Sequence, residues 1–343
     1  MKPLTSRFLL AGAAGALVLG SASVASATSG AVANRLAGAD RYVTARAIGT
    51  ATFTSSTVAI LAGGESFADA LPAAYLSGAE AAPLFLTPAA GLPAGLTKTL
   101  DDLKVDGVQI VGGTAAVSEN VVTQLEAAGF AVERLSGANR YETARKVAEL
   151  LPPQAVGTFG AGKAAIVVSG DTFPDALAAG PMSASQGLPI LLTNPAGLHD
   201  QAKAALQSLG IKQVLIVGGT GAVSASSEAQ IKALGITVRR IAGATRQATA
   251  ALVAEVERGE LNYPLTRVEL ARGDSFADAL AGGTRGGKVF APILLTAGST
   301  LGAEARTFIK ANGSTIATVD VLGGTGAVSD AVAADAVAAA KGL

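Results

Sequence analysis

The sequence predicts three small α/β domains in series, because four sequence words recur in three copies and always in the same order. The copies are RLAGADR (35–41), RLSGANR (134–140) and RIAGATR (240–246); GESFADAL (64–71), GDTFPDAL (170–177) and GDSFADAL (273–280); PLFLT (83–87) and PILLT (189–193 and 292–296); IVGGTAAVS (110–118), IVGGTGAVS (216–224) and VLGGTGAVS (321–329). A period of roughly a hundred residues exceeds a solenoid unit and suits a domain with its own core.

The pattern within one copy indicates the α/β class. Short apolar runs at 58–61, 84–86, 108–111 and 130–135 predict strands. Between them, residues 66–76 and 119–128 predict helices, and Leu92, Leu96, Leu100 and Leu103 form one helical stripe. Strands that alternate with helices are typical of a parallel sheet that is covered on both faces.

The first residues predict a secretory leader. Lys2 and Arg7 precede an apolar run that ends in the small residues 25–27, as at a signal-peptidase site. We therefore expect a signal peptide at 1–27, followed by repeats at 28–133, 134–239 and 240–343. The repeats would then fill nearly the whole mature chain and leave no room for a separate catalytic domain. The short linkers between them favour compact packing over separated beads.

Composition excludes several classes of function. Half of the residues are hydrophobic and 15% are charged, which is typical of a folded protein and not of a disordered stalk. The 26 basic and 26 acidic residues balance, so no global positive field attracts nucleic acid. There is no cysteine for a disulfide, a thiol nucleophile or a thiolate metal site. The single His199 has no partner at metal-ligand spacing, so we expect no metal and no cofactor.

Two of the shared words contain candidate anion-binding groups. The first is the GGT turn, whose backbone amides could hold a phosphate or carboxylate at a helix amino end; the alternative is a tight turn that needs glycine. The second is an arginine placed at the first position of a helix, after an Asp, Asn or Thr N-cap. The candidate residues are Gly112, Gly113, Thr114, Gly218, Gly219, Thr220, Gly323, Gly324, Thr325, Arg41, Arg140 and Arg246.

A cation at a helix amino end needs a partner. That partner is either a carboxylate of the same or the adjacent repeat, such as the aspartate of the SFADAL word, or an anionic ligand. The carboxylate clamp is the favoured interpretation. The aspartates themselves stand three residues after Ser66, Thr172 and Ser275, a spacing that predicts a capping box.

The sequence gives little support for an enzyme. The GDSF word at 273–276 is similar to the start of some serine hydrolases, but no histidine follows Ser275. A serine without a base is not activated. Nothing marks a pair of glycosidase carboxylates either.

The four words together resemble the cell-wall-binding repeat type 2 family of Gram-positive bacteria. The resemblance covers essentially all of the chain after the leader. It implies Toprim-like, flavodoxin-like modules that pack as a pseudo-threefold triangle. It also implies non-covalent attachment to anionic secondary wall polymers. The family's PILLT motif is associated with anchoring and maps onto Ile190, Leu191, Leu192, Ile293, Leu294 and Leu295, whereas the first repeat has Leu84, Phe85 and Leu86. From the residues alone, this motif is a buried strand.

We therefore expect a secreted, non-catalytic protein of the cell wall or cell surface. Its expected partner is an anionic wall polymer, with a wall hydrolase as a further candidate, and with no nucleic acid and no membrane after the leader is removed. Two alternatives stay open: an accessory protein that modifies a wall amidase, and a surface-layer subunit. The third repeat has Gln247 where the others have Tyr42 and Tyr141, which indicates a degenerate site there.

Overall fold

The computed structural model describes residues 30–160 and 162–343, so the expected signal peptide at 1–27 lies outside the described residues. Strands and helices alternate along these two ranges. In chain order they are β1 (Val32–Leu36), α1 (Arg41–Thr52), β2 (Val58–Gly63), α2 (Ala73–Glu80), β3 (Leu84–Thr87), α3 (Leu96–Asp102), β4 (Gly107–Val111), α4 (Glu119–Ala127), β5 (Ala131–Leu135), α5 (Arg140–Glu149), β6 (Thr158–Phe159), β7 (Gly162–Ser169), α6 (Pro174–Leu177), α7 (Gly180–Gln186), β8 (Ile190–Thr193), α8 (Asp200–Ser208), β9 (Gln213–Val217), α9 (Ala225–Ala233), β10 (Thr237–Ile241), α10 (Arg246–Gly259), β11 (Arg267–Arg272), α11 (Ala277–Val289), β12 (Ile293–Thr296), α12 (Ala303–Ala311), β13 (Thr318–Leu322) and α13 (Asp330–Ala340).

The strands form three sheets of the same topology, which confirms the predicted α/β fold of three modules. Their orders are β3-β2-β4-β5, β8-β7-β9-β10 and β12-β11-β13-β1, and all of these pairs are parallel. The second sheet also carries the short antiparallel strand β6 beside β7. Within the described part of the chain, no helix is long and apolar enough to cross a membrane.

The fourth strand of each sheet connects one module to the next. β5 completes the first sheet and then leads into α5, and β10 completes the second sheet and leads into α10. β1 completes the third sheet from the other end of the chain and leads into α1. The structural modules are therefore offset by one strand from the sequence repeats, whose junctions at 133/134 and 239/240 fall inside β5 and β10.

The helices agree with the sequence except after the first strand of each module. Asp40, Asn139 and Thr245 cap α1, α5 and α10 through their side chains, as predicted. The predicted helix over 66–76 is wrong in its start, because the chain first turns at 66–72 and α2 begins at Ala73. No side-chain cap bond forms at the start of α2, α6 or α11, so the capping-box prediction is also wrong.

Three helices of small residues, α2, α7 and α11, pack against one another at the centre of the molecule. The backbones approach closely because glycines stand at the contacts. A Cβ on Gly180 would lie 2.8 Å from the Cα of Gly283, and a Cβ on Gly78 would lie 1.9 Å from the carbonyl oxygen of Ala184. The same contact repeated between three similar modules closes a ring, so the modules pack as a triangle.

We expect Gly78→Ala to lower the free energy of unfolding by about 1–3 kcal/mol, because α2 and α7 would have to move apart to admit the methyl group. Denaturant unfolding followed by circular dichroism measures this loss. Gly259→Ala is the matched control. It adds the same methyl group at the exposed end of α10, with no atom within 4 Å of the new Cβ. Equal stability of the two variants would contradict close packing of these helices.

Candidate functional site

The four shared words meet at one edge of each sheet. In a parallel sheet the carboxyl ends of all strands lie at the same edge, which is where α/β proteins bind ligands. The words GESF (64–67), GDTF (170–173) and GDSF (273–276) form a turn, here called the GxSF turn, which follows β2, β7 and β11. The loop after the PILLT word follows β3, β8 and β12, and the GGT turn follows β4, β9 and β13. The sequence words are therefore gathered in space, although they are spread along the chain.

A cluster of three phenylalanines, one from each GxSF word, marks the pseudo-threefold axis at this edge. The ring centroids of Phe67 and Phe173 are 5.3 Å apart, those of Phe173 and Phe276 are 5.7 Å apart, and those of Phe67 and Phe276 are 6.1 Å apart. The rings are tilted or edge-on to one another, which is the favoured geometry for aromatic pairs. Each ring is half-buried.

The arginines at the starts of α1, α5 and α10 surround this cluster. Nη1 of Arg41 donates to the carbonyl oxygen of Gly64 at 2.6 Å. Arg140 makes the same bond to Gly170, and Arg246 makes it to Gly273. Two of the guanidinium groups also lie over a phenylalanine of the preceding module: Arg41 is 5.6 Å from the Phe276 ring and Arg140 is 5.9 Å from the Phe67 ring.

These contacts explain the glycine of the GxSF word. A Cβ on Gly170 would lie 2.6 Å from the Tyr141 ring, and a Cβ on Gly64 would lie 2.5 Å from the Tyr42 ring. In the third module, a Cβ on Gly273 would lie 2.9 Å from Cδ of Arg246. Glycine is needed because the arginine and its neighbouring tyrosine pack directly on the turn.

The favoured carboxylate clamp is corrected in its details. In the described ranges, none of the three arginines forms an ion pair within 4.0 Å, and the direct partner of each is a glycine carbonyl of the GxSF turn. Two of the aspartates, Asp69 and Asp278, interact with these arginines at longer range. Burial raises the pKa of Asp69, while Arg140 of the next module lowers it. Burial likewise raises the pKa of Asp278, and Arg41 lowers it.

The position of Asp69 also explains why it is not a helix cap. Its carboxylate lies beside the first glycine of the GGT turn, since a Cβ on Gly112 would be 3.1 Å from Oδ2. The Thr143 side chain, which belongs to α5, is close enough to the Asp69 carboxylate to lower its pKa. The aspartate therefore connects its own GGT turn to the following module.

The GGT words form turns at the surface, but the expectation that they lie at helix amino ends is wrong. α4 begins at Glu119 after the N-cap Ser118, several residues beyond the turn. The first glycine of each word has positive φ: +123° at Gly112, +126° at Gly218 and +95° at Gly323. This confirms the need for glycine there. The second glycines, Gly113, Gly219 and Gly324, face open space, and Thr114, Thr220 and Thr325 are exposed.

A second set of arginines holds these turns and was missed by the sequence analysis. Nη1 of Arg134 donates to the carbonyl of Gly112 at 3.0 Å. Arg240 makes the same bond to Gly218, and Arg35 makes it to Gly323, each at 2.8 Å. Each also pairs with a carboxylate of the following helix, Glu119, Glu228 or Asp330. The sequence signal for them was the arginine that begins each of the words RLAGADR, RLSGANR and RIAGATR.

The three repeats match a known family of protein domains. The family described as "Cell wall binding domain 2 (CWB2)" matches residues 35–122, 134–228 and 240–333. The chain belongs to this family. The resemblance drawn from the sequence words is thus confirmed, and each match contains one copy of the arginine, GxSF, PILLT and GGT words.

Two curated relatives come from Bacillus subtilis (strain 168). The N-acetylmuramoyl-L-alanine amidase LytC is 32% identical over 299 residues, which is 87% of this chain and 57% of that protein. The amidase enhancer is 34% identical over 303 residues, 87% of this chain and 39% of that protein. The chain thus spans about two fifths to three fifths of the length of these relatives.

Two solved structures share the fold. Cwp6 from Clostridium difficile superposes with a TM-score of 0.80 at 25% identity, covering 91% of this chain and 48% of that one. Cwp8 from the same organism superposes with a TM-score of 0.79 at 25% identity, covering 91% of this chain and 52% of that one. The arrangement of the modules is therefore that of known CWB2 proteins.

The residues that the family resemblance associates with anchoring are inaccessible in this structure. Ile190, Leu191 and Leu192 lie in β8, and Ile293, Leu294 and Leu295 lie in β12; all six are at most 1% exposed. Leu84, Phe85 and Leu86 of β3 are equally buried. These side chains belong to the hydrophobic core.

The single histidine caps a helix. Nδ1 of His199 accepts from the amide of Gln201 at 3.2 Å, at the start of α8. Its ring stacks on Tyr141, with centroids 4.0 Å apart and planes at 14°. Among residues 30–160 and 162–343, no group of three or more His, Asp or Glu side chains is placed to hold a metal ion.

Proposed function

We propose that the chain is a secreted, non-catalytic protein that attaches without a covalent bond to an anionic secondary polymer of a Gram-positive cell wall. Membership of the CWB2 family along all three modules supports wall binding. The observation that favours an anionic ligand is the exposed GGT turn, repeated three times at the same edge of the sheets. Such a protein would act at the cell surface.

The free amides of the turns are the first support. In residues 30–160 and 162–343, the amides of Gly113 and Thr114 donate to no protein acceptor, and the same holds for Gly219 and Thr220 and for Gly324 and Thr325. Amides without a protein acceptor, on a glycine turn held by an arginine, are suited to phosphate or carboxylate oxygens. Three equivalent turns would bind one repeating polymer more strongly than one turn alone.

The arginines around the phenylalanine cluster, Arg41, Arg140 and Arg246, are the second support. Each guanidinium uses Nη1 for its glycine carbonyl, which leaves its other nitrogens available to a ligand. Arg41 is exposed, whereas Arg140 and Arg246 are half-buried. In this proposal the buried PILLT strands support the site and do not touch the polymer.

The proposal is tested by sedimentation of the protein with purified walls. We expect saturable binding that weakens in moderate salt and is lost after acid extraction of the secondary polymers, because local ionic contacts are screened. The triple variant Gly113→Val, Gly219→Val, Gly324→Val should bind at least tenfold more weakly, because the new side chains would hinder access to the turn amides and each lost charge-assisted hydrogen bond is worth about 1.5–3 kcal/mol. Its stability should be unchanged, because these positions face open space.

The control for the triple variant is Gly259→Val, which adds the same side chain at an exposed site of α10, away from the turns. It should bind walls like the unaltered protein. Undiminished binding to acid-extracted walls would contradict an anionic polymer as the ligand. Normal binding of the triple variant would remove the GGT turns from the site and leave the arginines as its candidates.

A second candidate function is modification of a wall amidase. The similarity to an amidase and to an amidase enhancer favours it, although both relatives extend well beyond the matched region. Addition of the purified protein to an amidase acting on walls discriminates the two roles. A change in hydrolysis at fixed amidase concentration supports modification, whereas saturable wall binding with no effect on hydrolysis supports attachment alone.

A further inference from the structure

The edge of β13 is occupied by a five-residue parallel strand, β1. β1, β5 and β10 have the same length and similar sequences, VANRL, AVERL and TVRRI. Each pairs in parallel, in the same register, with the strand at the edge of its sheet. Backbone hydrogen bonds alone therefore do not distinguish the three strands.

Only the third sheet must take its last strand from a distant part of the chain. β5 follows β4 through α4, and β10 follows β9 through α9, so these two strands are delivered locally. Asn34 in β1 and its partner Asp320 in β13 are 286 residues apart. Because β1 is not brought to β13 by a short connection, side chains that select the correct strand matter more here than in the other two sheets.

The middle residue of the strand is what differs. In the third sheet Nδ2 of Asn34 donates to Oδ1 of Asp320 at 2.6 Å. In the first sheet the corresponding pair is Glu133 and Gln109, and in the second it is Arg239 and Leu215. Each sheet thus presents a different side chain at the same register position: a carboxylate, an amide and an alkyl group.

The surroundings of Asp320 decide which strand it accepts. Asp320 is fully buried, and Oδ2 lies 3.1 Å from Nη2 of Arg285 and 3.1 Å from Nη1 of Arg267. The two guanidinium groups already balance the charge of the carboxylate, so a neutral hydrogen-bond donor suits Oδ1 best. Asn34 supplies this donor. A carboxylate, as in β5, would be repelled by Asp320, and a third guanidinium, as in β10, would be repelled by the two arginines.

The cluster is confined to this sheet. Glu269 and Arg285 occupy positions that are Ile60 and Leu76 in the first module and Ile166 and Met182 in the second. Apolar residues therefore suffice for packing at these positions, and buried charges are poor stabilisers compared with apolar residues of similar volume. Their best-attested role is to specify pairing. We propose that Asp320, held by Arg267 and Arg285, makes the edge of β13 selective for the chain's own N-terminal strand and against strands like β5 and β10.

The test is hydrogen exchange of the amides of residues 32–36 in the full chain. Asn34→Asp keeps the size of the side chain but turns the donor into a second carboxylate. We expect exchange to become at least tenfold faster and the Tm to fall. The matched control is Val32→Asp, which adds the same charge to the same strand at a residue that is exposed, as Asn34 is, but lies opposite Thr318 and not opposite Asp320. Its exchange should change by less than threefold.

A second comparison isolates Asp320. In the background of Asp320→Asn, the change Asn34→Asp should have little effect or slow the exchange, because the opposing carboxylate is gone and the hydrogen bond can form with reversed polarity. The proposal is overturned if Asn34→Asp and Val32→Asp behave alike. It is equally overturned if Asn34→Asp accelerates exchange as much in the Asp320→Asn background as it does in the otherwise unaltered chain. The first comparison stands even if the Asp320→Asn variant does not fold.

Discussion

Replacement of Arg285 by methionine, the residue at this position of the second module, is expected to lower the free energy of unfolding by about 3–5 kcal/mol. Arg285 is only 4% exposed. It connects Glu269, at 3.4 Å from Nε, with Asp320, at 3.1 Å from Nη2, and Nη1 donates to the Thr52 hydroxyl at the end of α1 at 3.2 Å. Methionine would fill the space but leave Asp320 buried with Arg267 as its remaining cation.

The stability lost in Arg285→Met reports the removal of one charged partner. It does not report how much the whole cluster of Arg285, Glu269 and Asp320 contributes to the free energy of unfolding. The triple variant Arg285→Met, Glu269→Ile, Asp320→Leu installs the apolar set of the second module and should regain most of the lost stability, because no charge is left buried and unpaired. Guanidinium unfolding of both variants gives the comparison. Lys98→Met, which removes an exposed ion pair with Asp102, is the control and should cost less than about 1 kcal/mol. A triple variant no more stable than Arg285→Met would contradict this account.

The sequence was sufficient for the fold because repetition, helix caps and strand periodicity are local signals. Asp40, Asn139 and Thr245 cap helices as expected from their type alone. The predicted start of α2 was wrong because the conformation of the Ser66–Asp69 segment depends on residues that are distant in the sequence. Asp69 interacts with Thr143 and Arg140 of the following module, and this removes it from the helix end.

The candidate site was predicted less completely for the same reason. The sequence singled out Arg41, Arg140 and Arg246 but assigned them carboxylate partners, whereas their direct partners are glycine carbonyls. A backbone carbonyl has no sequence signature. That β1 belongs to the third sheet was also inaccessible, since its motif reads as the beginning of the first repeat. The pairing of β1 with β13 can be derived only once the ring of modules is known.

A buried carboxyl between the second and third modules should make stability depend on pH. Glu257 in α10 is fully buried, and neither of its oxygens has a hydrogen-bond partner of good geometry in the described ranges. Burial raises its pKa well above the ordinary value, and the nearby Met182 amide opposes this only in part. Tyr263 stands near it, with its hydroxyl 2.6 Å from that of Ser185 in the second module, and Glu269 adds a second buried carboxyl.

The direction of the pH effect follows from proton binding. The unfolded chain releases the Glu257 proton near pH 4.5, whereas the folded protein keeps it to a much higher pH. Between these values the folded state binds more protons, so the free energy of unfolding falls as the pH rises. Glu257→Gln keeps the shape of the protonated carboxyl and cannot ionise. The variant should therefore match the unaltered protein near pH 4 and exceed it increasingly at pH 6–9.

Thermal unfolding of both proteins from pH 4 to pH 9 measures this difference, which we expect to reach several degrees in Tm at the alkaline end. Glu255→Gln is the matched control in the same helix, because Glu255 is 42% exposed and pairs with Arg258 on the surface. It should show no gain that grows with pH. A Glu257→Gln effect of constant size across the range would mean that its cause is packing and not ionisation. A gain confined to the range above pH 4.5 would identify the contact between the second and third modules as the alkali-sensitive part of the ring.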